Sequence, residues 1–184
     1  MRKLKNTDLR YNKVNSTKKT ADELIHRFAS EYFDPSEDIV LTNHYVWSWE
    51  ADLLVIDNGG LSHEYEFKTS RADLRNDFKK AYENGGRFHL KHDKISTGDY
   101  SCNFFSFVIP DEIYEFIDVP DHLGIVTFYH HPDTWQLQFR RRRSAAQIHS
   151  DSFWKLHDQR QLLKNLSNKV LHLKRNALAD KYSF

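Results

Sequence analysis

The chain has 184 residues, of which 39% are hydrophobic and 14% aromatic, enough apolar material for one globular domain rather than a disordered chain. Its net charge of +1 does not by itself indicate a nucleic-acid partner. No run approaches the ~20 apolar residues that span a bilayer, and the basic first residues lack the apolar stretch of a secretory signal. Cys102 is the single cysteine, which excludes an intrachain disulfide and a zinc site built from thiolates and favours a reducing cytoplasm.

The first elements in chain order are an arm, a helix and a strand. Residues 1–19 are polar and basic, and we expect a flexible arm there. Thr20 followed three residues later by Glu23 is typical of a capping box, and the apolar spacing behind it predicts a helix from about Thr20 to Tyr32. The segment Ile39–Tyr45 favours a first strand or extended stretch.

A β-hairpin is predicted next. Trp47–Ile56 and Leu61–Thr69 both favour strands, and Asn58-Gly59-Gly60 between them supplies residues that accept positive φ in a tight turn. With the turn centred there, cross-strand partners have residue numbers that sum to about 118. This register pairs Asp52 with Glu66.

The remaining elements complete a mixed sheet with helices packed on it. We predict a helix from a capping-box start at Ser70 to about Asn84, followed by a loop over Lys91–Tyr100. A strand at Asn103–Ile109, a short helix at Asp111–Phe116 and a strand at Leu123–Tyr129 come next. The chain then continues with an edge strand at Thr134–Arg140 and a long amphipathic helix at Phe153–Leu178. The fold class is therefore α/β in the broad sense (α+β): a mixed β-sheet core flanked by helices, with a long C-terminal helix. Residues 20–143 form the core and residues 144–184 a helical extension of the same domain.

The hairpin also brings chemistry together. Side chains alternate along a strand, so Glu66 and Lys68 share a face, and Asp52 joins them with its Cβ about 5 Å from that of Glu66. Two carboxylates at this short distance repel one another unless a cation lies between them. Mg²⁺ is such a cation, because it prefers oxygen ligands. A bound cation polarises a phosphoryl oxygen, and Lys68 could orient or deprotonate a water or stabilise charge on a phosphate.

These residues resemble a known signature. Asp52 followed by Glu66-Phe67-Lys68 resembles the D…(D/E)xK motif of the PD-(D/E)XK nucleases, although Ala51 replaces the proline that names it. The run from Glu66 to Leu74, EFKTSRADL, resembles the corresponding run of MmcB-like DNA-repair nucleases and related phage proteins. The resemblance covers about residues 20–130. It implies a restriction-endonuclease-like core, Mg²⁺ or Mn²⁺ held by Asp52 and Glu66, and DNA as the substrate.

Several residues keep two interpretations. Members of the family often add a carboxylate from the first helix, which makes Glu23 a candidate catalytic residue, although its capping role explains it equally well. Glu64 and Glu50 could assist at the same site, although a solvated or edge carboxylate is the simpler interpretation of each. Lys79 could contact phosphate or be a surface lysine. Arg140, Arg141, Arg142 and Arg143 could follow a phosphate backbone, or could be the charged edge strand that blocks aggregation.

The sequence therefore predicts a magnesium-dependent endodeoxyribonuclease of DNA repair or phage DNA metabolism, located in the cytoplasm of a bacterium or a phage-infected host. The alternative is a nuclease-fold module that binds nucleic acid or a protein without cutting. A weaker third possibility is a homodimer through the C-terminal helix. Scattered histidines, such as His130-His131, lack a convincing third ligand for zinc.

Overall fold

The computed structural model describes residues 21–46, 49–84, 86–151, 160, 162–171 and 174. Its elements in chain order are α1 (residues 21–32), β1 (Ile39–Val46), β2 (Trp49–Ile56), β3 (Ser62–Phe67), α2 (Arg71–Asp77), β4 (Ala81–Asn84), β5 (Arg87–Leu90), α3 (Lys91–Thr97), β6 (Phe104–Pro110), a 3-10 helix (Asp111–Phe116), β7 (Gly124–His130), β8 (Leu137–Arg143) and α4 (residues 162–171).

A six-stranded mixed sheet forms the centre, in the order β1-β2-β3-β6-β7-β8. The β3–β6 and β6–β7 pairs are parallel, and the other pairs are antiparallel. Strands β4 and β5 form a separate two-stranded hairpin. The predicted α+β class, a mixed sheet flanked by helices with a C-terminal helix, is confirmed.

Each face of the sheet is covered by helices. On one face, α1 packs its buried residues against odd-numbered positions of the hairpin, such as Leu53 and Tyr65. On the other face, α2 and α3 contribute Leu74 and Ile95 to a cluster with even-numbered positions such as Leu54. Because side chains alternate along a strand, Glu64 and Glu66 on β3 point to the α2/α3 face.

Two predicted elements are wrong, and both lie over the α2/α3 face. The helix predicted from Ser70 to Asn84 ends at Asp77, and β4 and β5 follow as a hairpin whose turn contains Gly86 at φ +75°. The loop predicted over Lys91–Tyr100 contains α3, which ends at Gly98 in the left-handed region. Gly86, which the sequence suggested as part of a helix stop, instead lies in the turn of a hairpin.

The predicted helix start at Ser70 is confirmed as an N-cap, because its hydroxyl accepts from Asp73 N–H at 3.2 Å. The predicted cap at Thr20 and the arm of residues 1–19 lie outside the described residues.

The C-terminal segment packs on the same core. Leu162 and Leu166 of α4 contact the α2/α3-face cluster, and Lys169 Nζ donates to the carbonyl of Thr42 on the edge strand β1 at 2.6 Å. The ends of the predicted helix Phe153–Leu178 lie outside the described residues. Within the described part of the chain, we find no helix both long and apolar enough to cross a bilayer.

His63 is a half-buried, neutral histidine on the face of the sheet that α1 covers. Its Nε2 lies 2.8 Å from Ser106 Oγ, and its ring stacks on Tyr65 with a centroid distance of 4.0 Å. Burial, helped by the charge of Arg141, lowers the pKa of His63 to about 3. The imidazole of His63 therefore binds a proton near pH 6.5 in the unfolded chain but stays neutral at that pH in the folded chain.

We expect neutral His63 to contribute stability that is complete only above the unfolded pKa and is lost as pH falls from 6.5 towards 4. Between pH 6.5 and 4.5 the loss from this group is about 2–3 kcal/mol. Urea unfolding of the wild type and of His63→Gln at both pH values measures it, since the change in stability on acidification should be less favourable in the wild type by this amount. The same change in both proteins would contradict the assignment.

Candidate functional site

The hairpin of β2 and β3 has the register that its turn predicts. Leu53 pairs with Tyr65 and Leu54 with Glu64, so residue numbers sum to 118. The turn closes through Gly60 N–H, which donates to the carbonyl of Asp57 at 2.9 Å, and Gly60 adopts φ +81°. The same register places Asp52 opposite Glu66 and on the same face.

Asp52 is the partly exposed carboxylate of this face. Its Oδ2 accepts a hydrogen bond from the backbone N–H of Phe67 at 2.8 Å, which fixes the carboxylate against β3. Burial and the neighbouring charge of Glu66 raise the pKa of Asp52 to about 6, and the charge of Lys68 opposes the rise. The two carboxylates are therefore close enough to repel one another.

Glu66 is almost completely buried and contacts three lysines. Lys68 Nζ lies 2.7 Å from its Oε2, and Lys91 Nζ lies 2.6 Å from its Oε1. Lys80 Nζ lies 3.2 and 3.1 Å from the two oxygens. Burial would raise the pKa of Glu66, but the charges of Lys91 and Lys68 outweigh burial and the pKa is lowered.

Lys91 is a lysine with no exposed surface, at the start of α3. It bridges Glu66 and Glu64, with both contacts at 2.6 Å. Glu64 also accepts from the hydroxyl of Tyr100 at 2.6 Å. Burial raises the pKa of Glu64 and the charge of Lys91 opposes the rise, while the contacts with Lys91 Nζ and the Tyr100 hydroxyl are donors that favour the ionised carboxylate. Burial favours neutral Lys91, but Glu64 and Glu66 raise its pKa, so it keeps its proton.

Asp77, the last residue of α2, joins the same cluster. Its Oδ1 lies 2.6 Å from Lys80 Nζ and 3.0 Å from Lys68 Nζ, as ionic contacts without hydrogen-bond geometry. Its Oδ2 lies 2.8 Å from His92 Nε2. Burial opposes ionisation of Asp77, but the hydrogen bond from His92 and the lysine charges lower its pKa.

Lys68 carries its proton at neutral pH. Burial would lower the pKa of its ammonium, but Glu66 and then Asp77 raise it well above the usual range. Of the roles that the sequence left open for Lys68, this environment favours stabilising negative charge over removing a proton from water.

The other predicted site residues lie elsewhere. Glu23 is exposed on α1, whose buried residues pack against the opposite face of the sheet, so the structure does not bring it to the cluster. Lys79 is exposed beyond the end of α2 and is not among the lysines that contact Glu66. Glu50 is exposed near the start of β2.

The four arginines lie on β8, the edge strand three positions from β3 in the sheet order. Arg142 contacts Asp111 at 2.6 Å, and Arg143 contacts Asp121 at 2.9 Å. Arg140 lies over the ring of Tyr129 at 5.1 Å. The intramolecular carboxylates neutralise two of the four charges, which favours the edge-strand interpretation for those two.

Sequence reasoning missed Asp77, Lys80, Lys91 and His92. One signal was available for Asp77: it follows Leu74 by three residues, so the helical spacing places it on the buried side of α2. No such signal marked Lys91 and His92, because a helix whose buried face is partly ionic has no clear apolar pattern.

The carboxylates of this cluster are suitable ligands for a divalent cation, but in this structure they contact lysine ammonium groups instead. Oxygen ligands are those that Mg²⁺ and Mn²⁺ prefer, and burial together with the charge of Glu66 raises the pKa of Asp52. Yet among the described residues no group of three or more His, Cys, Asp or Glu side chains is arranged to hold a metal ion. Ammonium groups stand between the carboxylates, so a cation could bind only after at least one lysine moved.

Comparisons with known proteins do not assign a family. No family model matches the chain, and no curated protein matches it. A solved structure that is similar is the SPO1766 protein of unknown function from Silicibacter pomeroyi, at 14% identity and a TM-score of 0.47, covering 80% of this chain and 82% of that one.

Replacing Lys91 with Met should destabilise the protein by about 3–5 kcal/mol, because the buried carboxylate of Glu64 would lose its lysine counter-charge and face the charge of Glu66. Adding Glu64→Gln should recover part of the loss. Chemical denaturation measures both. The matched control is Lys94→Met on the same helix, whose partner Asp99 is exposed and whose loss should be less than about 1 kcal/mol. Similar losses for the two lysine variants would contradict the role of Lys91.

Proposed function

We propose that this protein is a metal-dependent nuclease that hydrolyses phosphodiester bonds in DNA. The observation that carries the proposal is the placement of Asp52 on β2, Glu66 on the antiparallel strand β3 and Lys68 directly after β3. The N–H of Phe67 holds Asp52, and Lys68 is bonded to Glu66. The resemblance of these residues to the PD-(D/E)XK signature supports the same activity.

Each residue has a separate role in this proposal. Asp52 and Glu66 would hold Mg²⁺ or Mn²⁺, which when bound supplies a Lewis acid for the phosphoryl group and a more acidic water. Lys68 remains protonated and stabilises negative charge that develops on the phosphate. The N–H of Phe67 orients the carboxylate of Asp52, and Lys91 positions Glu66 from its buried side.

Asp52 differs from a purely structural carboxylate, because its ionised form is unfavourable in the folded protein. An ordinary surface carboxylate costs the fold little, whereas burial beside Glu66 makes the ionised form of Asp52 unfavourable. Catalytic sites retain such unfavourable charges because the reaction needs them. The charge of Asp52 should therefore help activity and reduce stability.

A second candidate function is a nuclease-fold module that binds nucleic acid or protein without cutting. The observation in its favour is the complete engagement of Glu66 by Lys68, Lys80 and Lys91, which is also what a purely structural ionic cluster would show. Divalent-cation uptake separates the two functions, since a binding module needs none at these carboxylates.

The substitution Asp52→Asn tests the proposal with two readouts. Cleavage of labelled single-stranded, duplex and branched DNA in Mg²⁺ or Mn²⁺ should fall at least about 100-fold. Stability at pH 7 should rise by about 2 kcal/mol, because the amide keeps an acceptor for Phe67 N–H and removes the buried charge. Matched RNA substrates test whether DNA is the substrate.

Asp57→Asn on the same hairpin is the control, since Asp57 is exposed at the turn and outside the cluster. It should cleave as the wild type does and show no comparable gain in stability. The nuclease proposal fails if wild type and Asp52→Asn cut equally well, or if cleavage continues in excess EDTA.

A further inference from the structure

Lys80 is the exposed member of the three lysines that contact Glu66. Its side chain is 35% exposed, against 6% for Lys68 and 0% for Lys91. The side chains of Lys68 and Lys91 are almost fully buried, so of the three lysines Lys80 is the one that could move into solvent without opening the core. A long lysine side chain can move its ammonium into water while its stem stays in place.

The Lys80 ammonium lies between carboxylates that belong to different elements. It contacts both oxygens of Glu66 on β3 and Oδ1 of Asp77 at the end of α2. Its charge also acts on Asp52 of β2. Two carboxylates therefore contact one partly exposed ammonium, and Asp52 lies on the same face of the sheet as Glu66. Carboxylate oxygens are the ligands that a hard metal ion prefers.

Charge balance is consistent with an exchange of cations at this point. Lys91 is matched by Glu64, which leaves Asp52, Glu66 and Asp77 facing Lys68 and Lys80, one negative charge in excess. Departure of the Lys80 ammonium would leave an excess of two negative charges. A single divalent cation neutralises that excess.

We propose that the Lys80 ammonium occupies the divalent-cation site, and that the cation binds by displacing it, with Asp77 as a ligand beside Asp52 and Glu66. The inference rests on the proposed metal-dependent function and adds to it a third carboxylate and an internal competitor. Lys80 is thus a positioning residue of the metal-free state, and its charge weakens cation binding.

The backbone around Lys80 limits the movement to its side chain. The carbonyl of Lys80 accepts from Lys91 N–H at 2.9 Å, at the base of the β4–β5 hairpin, and Lys80 N–H donates to the carbonyl of Asp77 at 3.0 Å. These two hydrogen bonds hold the main chain of Lys80 in place. The Lys80 ammonium would therefore leave the cation site by rotation of its side chain alone. Lys91 then keeps its contact with Glu66 throughout.

The test is the affinity for Mn²⁺ in the absence of DNA, measured by calorimetry and by electron paramagnetic resonance of free Mn²⁺ at pH 7. Lys80→Met removes the competing charge and keeps the stem, so the dissociation constant should fall at least tenfold. Lys79→Met, the exposed neighbour with the same change in net charge, should stay within twofold of the wild type. Adding Asp77→Asn to Lys80→Met should reverse the gain.

A dissociation constant for Lys80→Met equal to or above that of the wild type would overturn the inference. If wild type still takes up Mn²⁺ and Asp52→Asn does not, the proposed function survives that failure. If no protein in the set binds Mn²⁺, the metal-dependent function fails together with the inference.

A second measurement uses the wild type and therefore does not depend on how a variant folds. With ¹³C-labelled lysine, the Cε resonance of Lys80 should move towards that of a solvated lysine as Mg²⁺ is added, while that of Lys91 should keep its buried position. A Lys80 resonance unchanged at saturating Mg²⁺ would also overturn the displacement.

Discussion

Burial of the Glu66 carboxylate is the constraint on which the rest of this structure depends. A carboxylate removed from water costs several kcal/mol unless positive charge and hydrogen bonds replace its hydration. Here Lys68, Lys80 and Lys91 supply that charge at 2.6 to 3.2 Å. These lysines come from the end of β3, from the start of the small hairpin and from α3, so three separate parts of the chain converge on one side chain.

This requirement accounts for elements that look irregular. The helix after β3 is short, so that Asp77 at its end and Lys80 just beyond it reach the cluster. The β4–β5 hairpin returns the chain to begin α3 beside Lys80, with Lys91 N–H bonded to the Lys80 carbonyl. Helix α3 places Lys91 in the interior and Ile95 in the apolar core on one face. The proposed active centre and the buried ionic cluster are therefore the same group of residues.

Local signals in the sequence predict part of this arrangement. The glycines after Asn58 and the alternation of β2 and β3 determine the hairpin register, and hence the proximity of Asp52 and Glu66. Ser70 predicts the start of α2 for a similarly local reason. The end of α2 was not predictable in this way, because Gly85-Gly86 suits both a helix stop and a hairpin turn. Glu23 was misplaced since spacing along a helix does not tell which face of a sheet the helix covers.

The central claim is that Asp52 and Glu66 seat a divalent cation, and its location in a crystal tests that claim most directly. Crystals grown with Mn²⁺ should give an anomalous difference peak bounded by Asp52, Glu66 and Asp77, with the Lys80 ammonium turned away from Glu66. The absence of a peak at these carboxylates at saturating Mn²⁺, with Lys80 still bonded to Glu66, would contradict the account.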